Sequence, residues 1–266
     1  KYKNLYDKKM DSIYKLTRSG FELDLSFFDY YLFDRQPHFY NKKLISLFGK
    51  PREKDQKILS KHHQIAGALQ RAFTNIVFHL LKITKKRGGK SNNVVIAGGA
   101  AMNCVFNGLL ESKNIYKNNF VPPWPDDLGV SIGATYLENH NQGKKSKNDC
   151  KVYLGPGYSN ADILSLLKKY NLTFFKSDNI GKYAAERISK GHLIGWFQDR
   201  MEFTHRALGN RSILADPRKL EMQLKVNTAV KYRETFRPFA PSVLEEDASK
   251  IFKIDKKTKV PFMEKA

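Results

Sequence analysis

The 266-residue chain has little cysteine and no long apolar run. Cys104 and Cys150 are its only cysteines, and the sequence holds no C-x-x-C pattern, so neither a disulfide framework nor a cysteine zinc site is expected. No stretch approaches the roughly 20 apolar residues that a membrane-spanning helix needs. These absences predict a protein of a reducing, cytoplasmic compartment that has no membrane partner.

Acidic residues are also scarce, 26 against 47 basic ones, which leaves a net charge of +21. A basic surface attracts phosphates and would suit a nucleic acid. However, most of the basic residues are lysines spread along the chain, which is typical of solvated surface. The arginines instead concentrate between Arg200 and Arg237, and arginine is the preferred planar ligand for phosphate and carboxylate. The pattern predicts a site for an anionic small molecule and no nucleic-acid partner.

Hydrophobic periodicity predicts two α/β domains separated by a polar stretch at residues 143–150, which has several helix breakers and no apolar anchor. A long helix over residues 60–86, with Ser60 as its cap, is predicted from an apolar face whose residues recur at helical spacing, namely Ile65, Leu69, Phe73, Ile76, Val77, Leu80 and Leu81. Further helices are predicted over residues 101–110, 130–138, 161–170, 180–190 and 219–230, and strands over residues 94–97, 115–121, 152–154, 172–175 and 192–197. Asn160 is the expected cap of the helix over residues 161–170.

The first candidate segment is QDRMEFTHRALGNRSILADPR, residues 198–218, which follows the apolar strand HLIGWF. Ligand sites of α/β proteins collect where strands end. The turn Leu208-Gly209-Asn210 would direct Arg206 and Arg211 at a shared target. The alternative is an exposed loop with several surface ion pairs, each of which stabilises the fold by at most about 1 kcal/mol.

The second candidate segment is NTAVKYRETFRPFAPSVLEE, in which Lys231, Arg233 and Arg237 alternate with aromatic residues. Cations would hold phosphates while aromatic rings support a nucleobase. The alternative is a surface loop whose apolar residues face the core. Together with the first segment, it predicts a site for an anionic ligand of the nucleotide class.

The first half of the chain contributes two further candidates. Gly98-Gly99 joins a predicted strand to a helix, and glycine there would let backbone N–H groups approach a phosphate closely; a turn that needs small residues only for packing is the alternative. Asp126 and Asp127 precede a glycine-containing helix, where a helix cap is the alternative to a metal site. His62 and His63 are adjacent on a helix and therefore point in different directions, which favours exposed helix residues over a metal pair.

Several long motifs in order then resemble one family. The phrases RALGNRSILADPR and KYRETFRPFAPSVLEE are similar to the second domain of carbamoyltransferases that modify nodulation factors and antibiotics such as tobramycin and cephamycins. The first half agrees in order through LDLSFF, HHQIAGALQ, IAGGAAMNCVFNG and PPWPDDLGVSIGA. The resemblance spans residues 23–262.

The resemblance implies a fold and an activity. The fold class would be α/β, with the second half of an actin-like domain at residues 1–142 and a YrdC-like domain, cut at its C-terminal end, at residues 151–266. The second domain would make carbamoyl-adenylate from carbamoyl phosphate and ATP. The actin-like domain would pass the carbamoyl group, with help from iron or another divalent metal, to a hydroxyl of a small-molecule or glycan acceptor.

The resemblance also implies roles for individual residues, according to their positions in the matching motifs. The expected catalytic residues, which would neutralise the charge of phosphate and carbamate, are Arg206, Arg211, Lys231 and Arg233. The expected substrate- and nucleotide-binding residues are Gly98, Gly99, Asn103, Asn210, Ser212 and Arg237. Asp127 matches the position of a metal ligand through its hard carboxylate oxygen.

The chain departs from the family pattern in two respects. It lacks the family's HxxxH-type stretch, and both ends look cut, so the metal ligand set is expected to be incomplete in this chain. Thr204 and His205 stand where the family usually carries Gly-Pro, which changes the backbone angles that the turn allows. Two alternatives remain: a protein related to tRNA threonylcarbamoylation, and a non-catalytic nucleotide-binding fragment.

Overall fold

The computed structural model describes residues 4–35, 38–88, 90–144, 150–254 and 258–266. The chain divides into two compact units, the first formed by Lys1–Val94 with Leu110–Asn119 and the second by Val95–Leu109 with Phe120–Ala266. Helices and strands are mixed along the chain, as the sequence predicts. Residues 145–149 of the predicted linker lie outside the described residues, and the domain boundary there stays a prediction.

The first unit is built around one long helix. Its helices and strands are α1 (Asp7–Asp11), β1 (Tyr14–Leu16), β2 (Phe21–Leu23), α2 (Lys42–Phe48), α3 (Ser60–Arg87) and most of β3 (Asn93–Val95), with short 3-10 turns at Leu25–Phe27 and Tyr30–Arg35. β1 and β2 form an antiparallel pair in which Tyr14 lies opposite Leu23.

The core of the first unit depends on small side chains of α3. Ala68 and Ala72 are buried against Met10, Ile13 and Phe27. Two alanines one helical turn apart leave room for α1 to approach closely. On the polar side of this contact, the Nε of Arg71 lies 2.8 Å from a carboxylate oxygen of Asp7, and its Nη2 lies 2.7 Å from one of Asp11.

Two sequence predictions for α3 need correction. The helix begins at Ser60, so the cap position is Leu59 and the prediction that Ser60 caps the helix is wrong. The backbone N–H of Leu59 donates instead to Nδ1 of His62, 2.9 Å away, which gives this histidine a structural contact. Leu69, predicted to lie on the apolar face, is 58% exposed, because the buried stripe runs through the alanines.

The second unit combines short helices with an antiparallel strand pair. After β3 come α4 (Cys104–Gly108), α5 (Leu110–Lys113, in the first unit), β4 (Asn118–Phe120, whose first two residues are in the first unit), α6 (Leu128–Asn141), α7 (Asn160–Lys169), α8 (Ile180–Ser189), β5 (Ile194–Phe197), β6 (Arg211–Leu214), α9 (Glu221–Ala229) and α10 (Ala248–Ile251). A 3-10 turn at Gly99–Met102 replaces the first part of the helix predicted over residues 101–110.

Two predicted strands of the second unit do not form. Residues 172–175 are irregular. Residues 152–156 form no regular ladder, although Phe203 donates to the carbonyl of Val152 and Gly155 donates to that of Met201. This irregular pairing places residues 152–156 against the first candidate segment. No helix among the described residues is long and apolar enough to cross a membrane.

We predict that Ala68→Leu lowers the free energy of unfolding by about 1–3 kcal/mol, because the three added carbon atoms cannot fit between α3 and α1. Urea denaturation followed by circular dichroism measures the change. Ala66 is exposed on the same helix, so Ala66→Leu is the matched control and should change the unfolding free energy by no more than about 0.5 kcal/mol. Equal effects at the two positions would contradict the packing of the alanine stripe.

Candidate functional site

The first candidate segment is the connection between two antiparallel strands. β5 and β6 pair so that Phe197 lies opposite Arg211, and residues 198–210 form the long loop that joins them. The loop turns at Gly209, whose φ of +109° is readily available only to glycine. The polar groups therefore leave a strand end, as predicted, but from an antiparallel pair.

Two arginines of this segment are used structurally. Arg200 donates from Nε to the carbonyl of Gly155 at 2.8 Å and from Nη2 to that of Leu154 at 2.7 Å. Arg218 forms a bidentate ion pair with Asp216, whose side chain is 2% exposed. The hydrogen bonds that Arg218 donates, from its side chain and its backbone N–H, lower the pKa of Asp216 to about 2.

His205 and Arg206 of this loop contact two other candidate motifs of the second unit, the aspartate pair and the glycine turn. Nη2 of Arg206 donates to the carbonyl of Met102 at 3.2 Å, next to the glycine turn. Nε2 of His205 contacts a carboxylate oxygen of Asp126, whose other oxygen is buried and has no hydrogen-bond partner among the described residues. Three segments that are far apart in sequence therefore meet in one place.

Between these segments lies a small cleft, which we call the motif cleft. It is open to solvent, and its interior volume of about 20 Å³ has room for roughly one water molecule. Its lining residues are Ala101, Met102, Val121, Pro122, Pro123, Pro125, His205, Arg206, Phe262 and Glu264.

The glycine turn has an open face. Gly98 has a φ of +99°, and its N–H donates to the carbonyl of Pro125. A Cβ at Gly98 or Gly99 would meet no atom within 4 Å among the described residues, so the requirement at Gly98 is conformational rather than steric. Asn103 caps α4 by accepting the N–H of Phe106 at 3.0 Å. The turn leaves space for a ligand, and Asn103 already has a structural role.

Arg211 and its neighbours form an internal network. Nη2 of Arg211 donates to the carbonyl of Thr204 at 2.9 Å, and its Nε lies 3.4 Å from an oxygen of Glu202. The amide of Asn210 donates to the carbonyl of Arg200 at 2.8 Å. The hydroxyl of Ser212 accepts the N–H of Gly209 at 3.2 Å.

Residues 231–237 of the second candidate segment are bound to α9, and we call these residues the arch. The buried side chain of Asn227 donates to the carbonyls of Thr235 and Arg237 and accepts Nε of Arg233 at 2.7 Å. The guanidinium of Arg233 lies 4.7 Å from the ring centre of Phe239.

The remaining cations of the arch face solvent. Arg237 pairs with Glu234 at 2.8 Å, whereas Lys231 is exposed and its ammonium forms no ion pair with any described residue. Within the part of the chain that the structure describes, no hydrogen bond or ion pair joins residues 231–237 to residues 204–212. The predicted union of the two arginine segments in one site is therefore not seen as direct contact.

Asp127 occupies the cap position of α6, is exposed and makes no side-chain cap bond. Among the described residues, no group of three or more His, Cys, Asp or Glu side chains is arranged to hold a metal ion. The described residues therefore do not fit a complete metal site, and the metal stays an expectation from the resemblance.

Sequence reasoning missed two residues that shape the site. Glu202 is the buried carboxylate of the first loop, and Asn227 is the buried amide below the arch. The available signals were weak: an acidic residue between apolar neighbours, and an asparagine one residue after Val226 on the apolar side of a helix. Polar residues in such positions are either exposed or bonded internally, and only the fold distinguishes the two.

Comparisons with known proteins match both parts of the chain to one family. A carbamoyltransferase N-terminus model matches residues 2–136, and a carbamoyltransferase C-terminus model matches residues 185–266. Nodulation protein NolO of Bradyrhizobium diazoefficiens is 40% identical over 80% of this chain and 40% of its own length. Nodulation protein NolNO of Sinorhizobium fredii is 39% identical over 80% of this chain and 32% of its own length.

An uncharacterised Synechocystis protein is 35% identical over 97% of this chain and 43% of its own length. The chain thus spans less than half the length of the curated relatives it matches. It belongs to the carbamoyltransferase family, a family of transferases.

We predict that Asn227→Ala loosens the arch. The carbonyls of Thr235 and Arg237 would lose a donor and Arg233 an acceptor, and one such bond of about 1 kcal/mol corresponds to about a fivefold rise in amide exchange at residues 233–237. Hydrogen exchange measured by NMR tests this. Thr228 is exposed on the same helix, so Thr228→Ala is the control and should leave exchange in the arch unchanged.

The Asp216–Arg218 pair predicts a pH dependence of stability. Because the folded pKa of Asp216 is depressed, the pair stabilises the fold above the ordinary value of 3.8, and this contribution disappears as the pH falls towards about 2. Carboxyl NMR titration should give a pKa near 2, and Arg218→Ala should return it towards 3.8. A pKa that does not respond to Arg218→Ala would contradict the assigned cause.

Proposed function

We propose that the protein of which this chain forms a part transfers a carbamoyl group by way of carbamoyl-adenylate. Water cleaves carbamoyl phosphate into carbamate and inorganic phosphate. A carbamate oxygen then attacks the α-phosphorus of ATP, and pyrophosphate leaves. A hydroxyl of a small-molecule or glycan acceptor finally attacks the carbamoyl carbon, and AMP leaves with the acceptor's proton transferred to a base.

The proposal assigns each half of the chain a part of this sequence. The first half would be the second half of an actin-like transfer domain, and residues from 151 onward a YrdC-like adenylate-forming domain. The order of the two family matches supports this arrangement. The cytoplasm is the proposed compartment.

The observation that carries the proposal is the meeting of motifs around the motif cleft. Arg206 bonds to the carbonyl next to the glycine turn, and His205 contacts Asp126. A guanidinium beside a glycine turn with an open face is suited to a phosphate or carbamate oxygen, because both a cation and backbone N–H groups are within reach. Motifs from the two family models contribute to the same cleft.

Arg206 and Arg211 are the cations that we assign to the developing negative charge. Arg211 donates from Nη2 to the carbonyl of Thr204, and the charge of Glu202 lies 3.4 Å from its Nε; these contacts orient the guanidinium and leave other N–H groups available. Such preorganised donors stabilise charge in a transition state without reorganising. Arg200 and Arg218, which are committed to structural contacts, have no assigned role in the reaction.

Lys231, Arg233 and Arg237 are assigned to the nucleotide. The exposed ammonium of Lys231 and the exposed rings of Tyr232 and Phe236 would bind phosphate and base. Gly98, Gly99 and Asn103 are assigned to a nucleotide in the first half. Asn210 and Ser212 would exchange present partners for the carbamoyl group, which both side chains can do as donors and acceptors.

Asp127 is assigned as one ligand of a divalent metal. When bound, such an ion would polarise an oxygen of the substrate. The described residues supply no further ligand cluster, so no step of the reaction is assigned to the ion here.

The test is pyrophosphate release from ATP in the presence of carbamoyl phosphate. Arg211→Ala and Arg206→Ala should each reduce the rate by about a hundredfold, the usual effect of removing one preorganised donor. Arg187 lies on α8 and contacts Tyr183, so Arg187→Ala is the control and should retain the rate.

Adenylate formation that survives Arg211→Ala would overturn the assignment of this residue. Pyrophosphate release that requires added tRNA would favour the threonylcarbamoylation alternative. A melting temperature that ATP raises, without any turnover of ATP, would instead indicate a nucleotide-binding fragment.

A further inference from the structure

Glu202 is the buried charge of the site loop. Its side chain is 0% exposed, although the cations around it reach solvent. Burying a carboxylate without partners costs several kcal/mol, so a charge in this position needs compensation from its surroundings.

The compensation comes from the backbone of the turn. One oxygen, Oε1, accepts the N–H groups of Leu208 at 2.6 Å and Asn210 at 2.8 Å. Burial raises the pKa of Glu202, but hydrogen bonds from the backbone N–H groups of Leu208, Glu202 itself, Asn210 and Arg211 outweigh it, and the pKa lies below its usual value. Glu202 is therefore ionised at neutral pH.

Successive N–H groups that converge in this way form a nest, a concavity suited to an anion. The positive φ of Gly209 lets the N–H groups on either side of it point to the same oxygen. Here the occupant of the nest is a carboxylate of the chain itself. The turn 208–210 is thus filled from within and does not offer its N–H groups to a substrate.

The second oxygen of Glu202 faces Arg211. Oε2 lies 3.4 Å from Nε and has no hydrogen bond within the described part of the chain, so the attraction is one of charge rather than of a formed bond. On its other side Arg211 donates to the carbonyl of Thr204. The guanidinium is held at two points and stays 36% exposed.

We propose that Glu202 is a positioning residue, which fills the nest of the turn with one oxygen and orients the guanidinium of Arg211 towards an anionic substrate with the other. The inference rests on the proposed function only in the identity of that substrate. The contacts of Glu202 with the turn and with Arg211 lie within the loop, so they can be measured without any substrate.

Glu202→Gln separates positioning from folding. The glutamine oxygen still accepts the two N–H groups of the turn, whereas its NH₂ group places a donor opposite Nε of Arg211. The turn should persist and the guanidinium should be released. Glu186→Gln, at an exposed position of α8, is the matched control because it removes the same charge.

The first readout needs no substrate. In protein labelled with ¹⁵N-arginine, and with Arg211→Lys to identify the signal, the Nε–H resonance of Arg211 should shift in Glu202→Gln and stay in place in Glu186→Gln. Amide exchange at residues 208 and 210 should stay slow in Glu202→Gln. An Nε–H resonance that does not move in a folded Glu202→Gln protein overturns the proposal.

The second readout is carbamoyl phosphate binding by calorimetry. Glu202→Gln and Arg211→Ala should each weaken binding by about tenfold, as expected for one hydrogen bond to a charged group. The double variant should bind no more weakly than Arg211→Ala alone, because Glu202 acts through Arg211. Losses that multiply would show an independent structural role and overturn the proposal.

Two further outcomes are also decisive. If the unaltered protein binds no carbamoyl phosphate, the proposed function fails, and the Nε–H resonance still decides the role of Glu202. If Glu202→Gln does not fold, Glu202→Asp, which keeps the charge on a shorter side chain, should fold and displace the Nε–H resonance of Arg211; an undisplaced resonance would overturn the proposal.

Discussion

The side chain of Glu202 is ionised and buried within a loop whose other charged side chains reach solvent, and the geometry of the loop compensates this buried charge. The turn around Gly209 directs two N–H groups at one oxygen, and Arg211 approaches the other. A buried charge is tolerated only when its surroundings are arranged in advance. The arrangement that compensates Glu202 therefore also determines where Arg211 lies, and with it the side of the candidate site that β6 supplies.

The arginines of the loop divide into two groups by their partners. Arg200 and Arg218 are bound to backbone carbonyls and to Asp216, and they maintain the fold of the second unit. Arg206 and Arg211 make fewer internal bonds: Arg206 lines the motif cleft, and Arg211 donates to the carbonyl of Thr204 in the same loop. Composition alone presents these residues as one cluster of positive charge, whereas the chemistry we propose needs only the second group.

Much of the local structure could be predicted from the sequence. α7 and α8 follow from their apolar spacing, and asparagine or serine caps both, although Ser159 rather than Asn160 is the cap of α7. The strands were less predictable: residues 172–175 are apolar yet irregular. A strand exists only when another segment pairs with it, and sequence pattern does not reveal whether the partner is present. The apolar face of α3 was misplaced for a related reason, since the alanines against α1, rather than the larger Leu69, are buried.

By itself the sequence determined the family, the mixed helix and strand content, and the residues from which an anion site can be made, because these depend on residue type and order. The tertiary structure decided which of those residues are available. In the fold, His205 and Arg206 contact the aspartate and glycine motifs, and the arch of residues 231–237 is bound to α9. Glu202 and Asn227 are buried and bind neighbouring parts of the chain. The physical reason is that a polar side chain is satisfied equally well by water, by backbone or by a ligand, and only the positions of its neighbours in space select among the three.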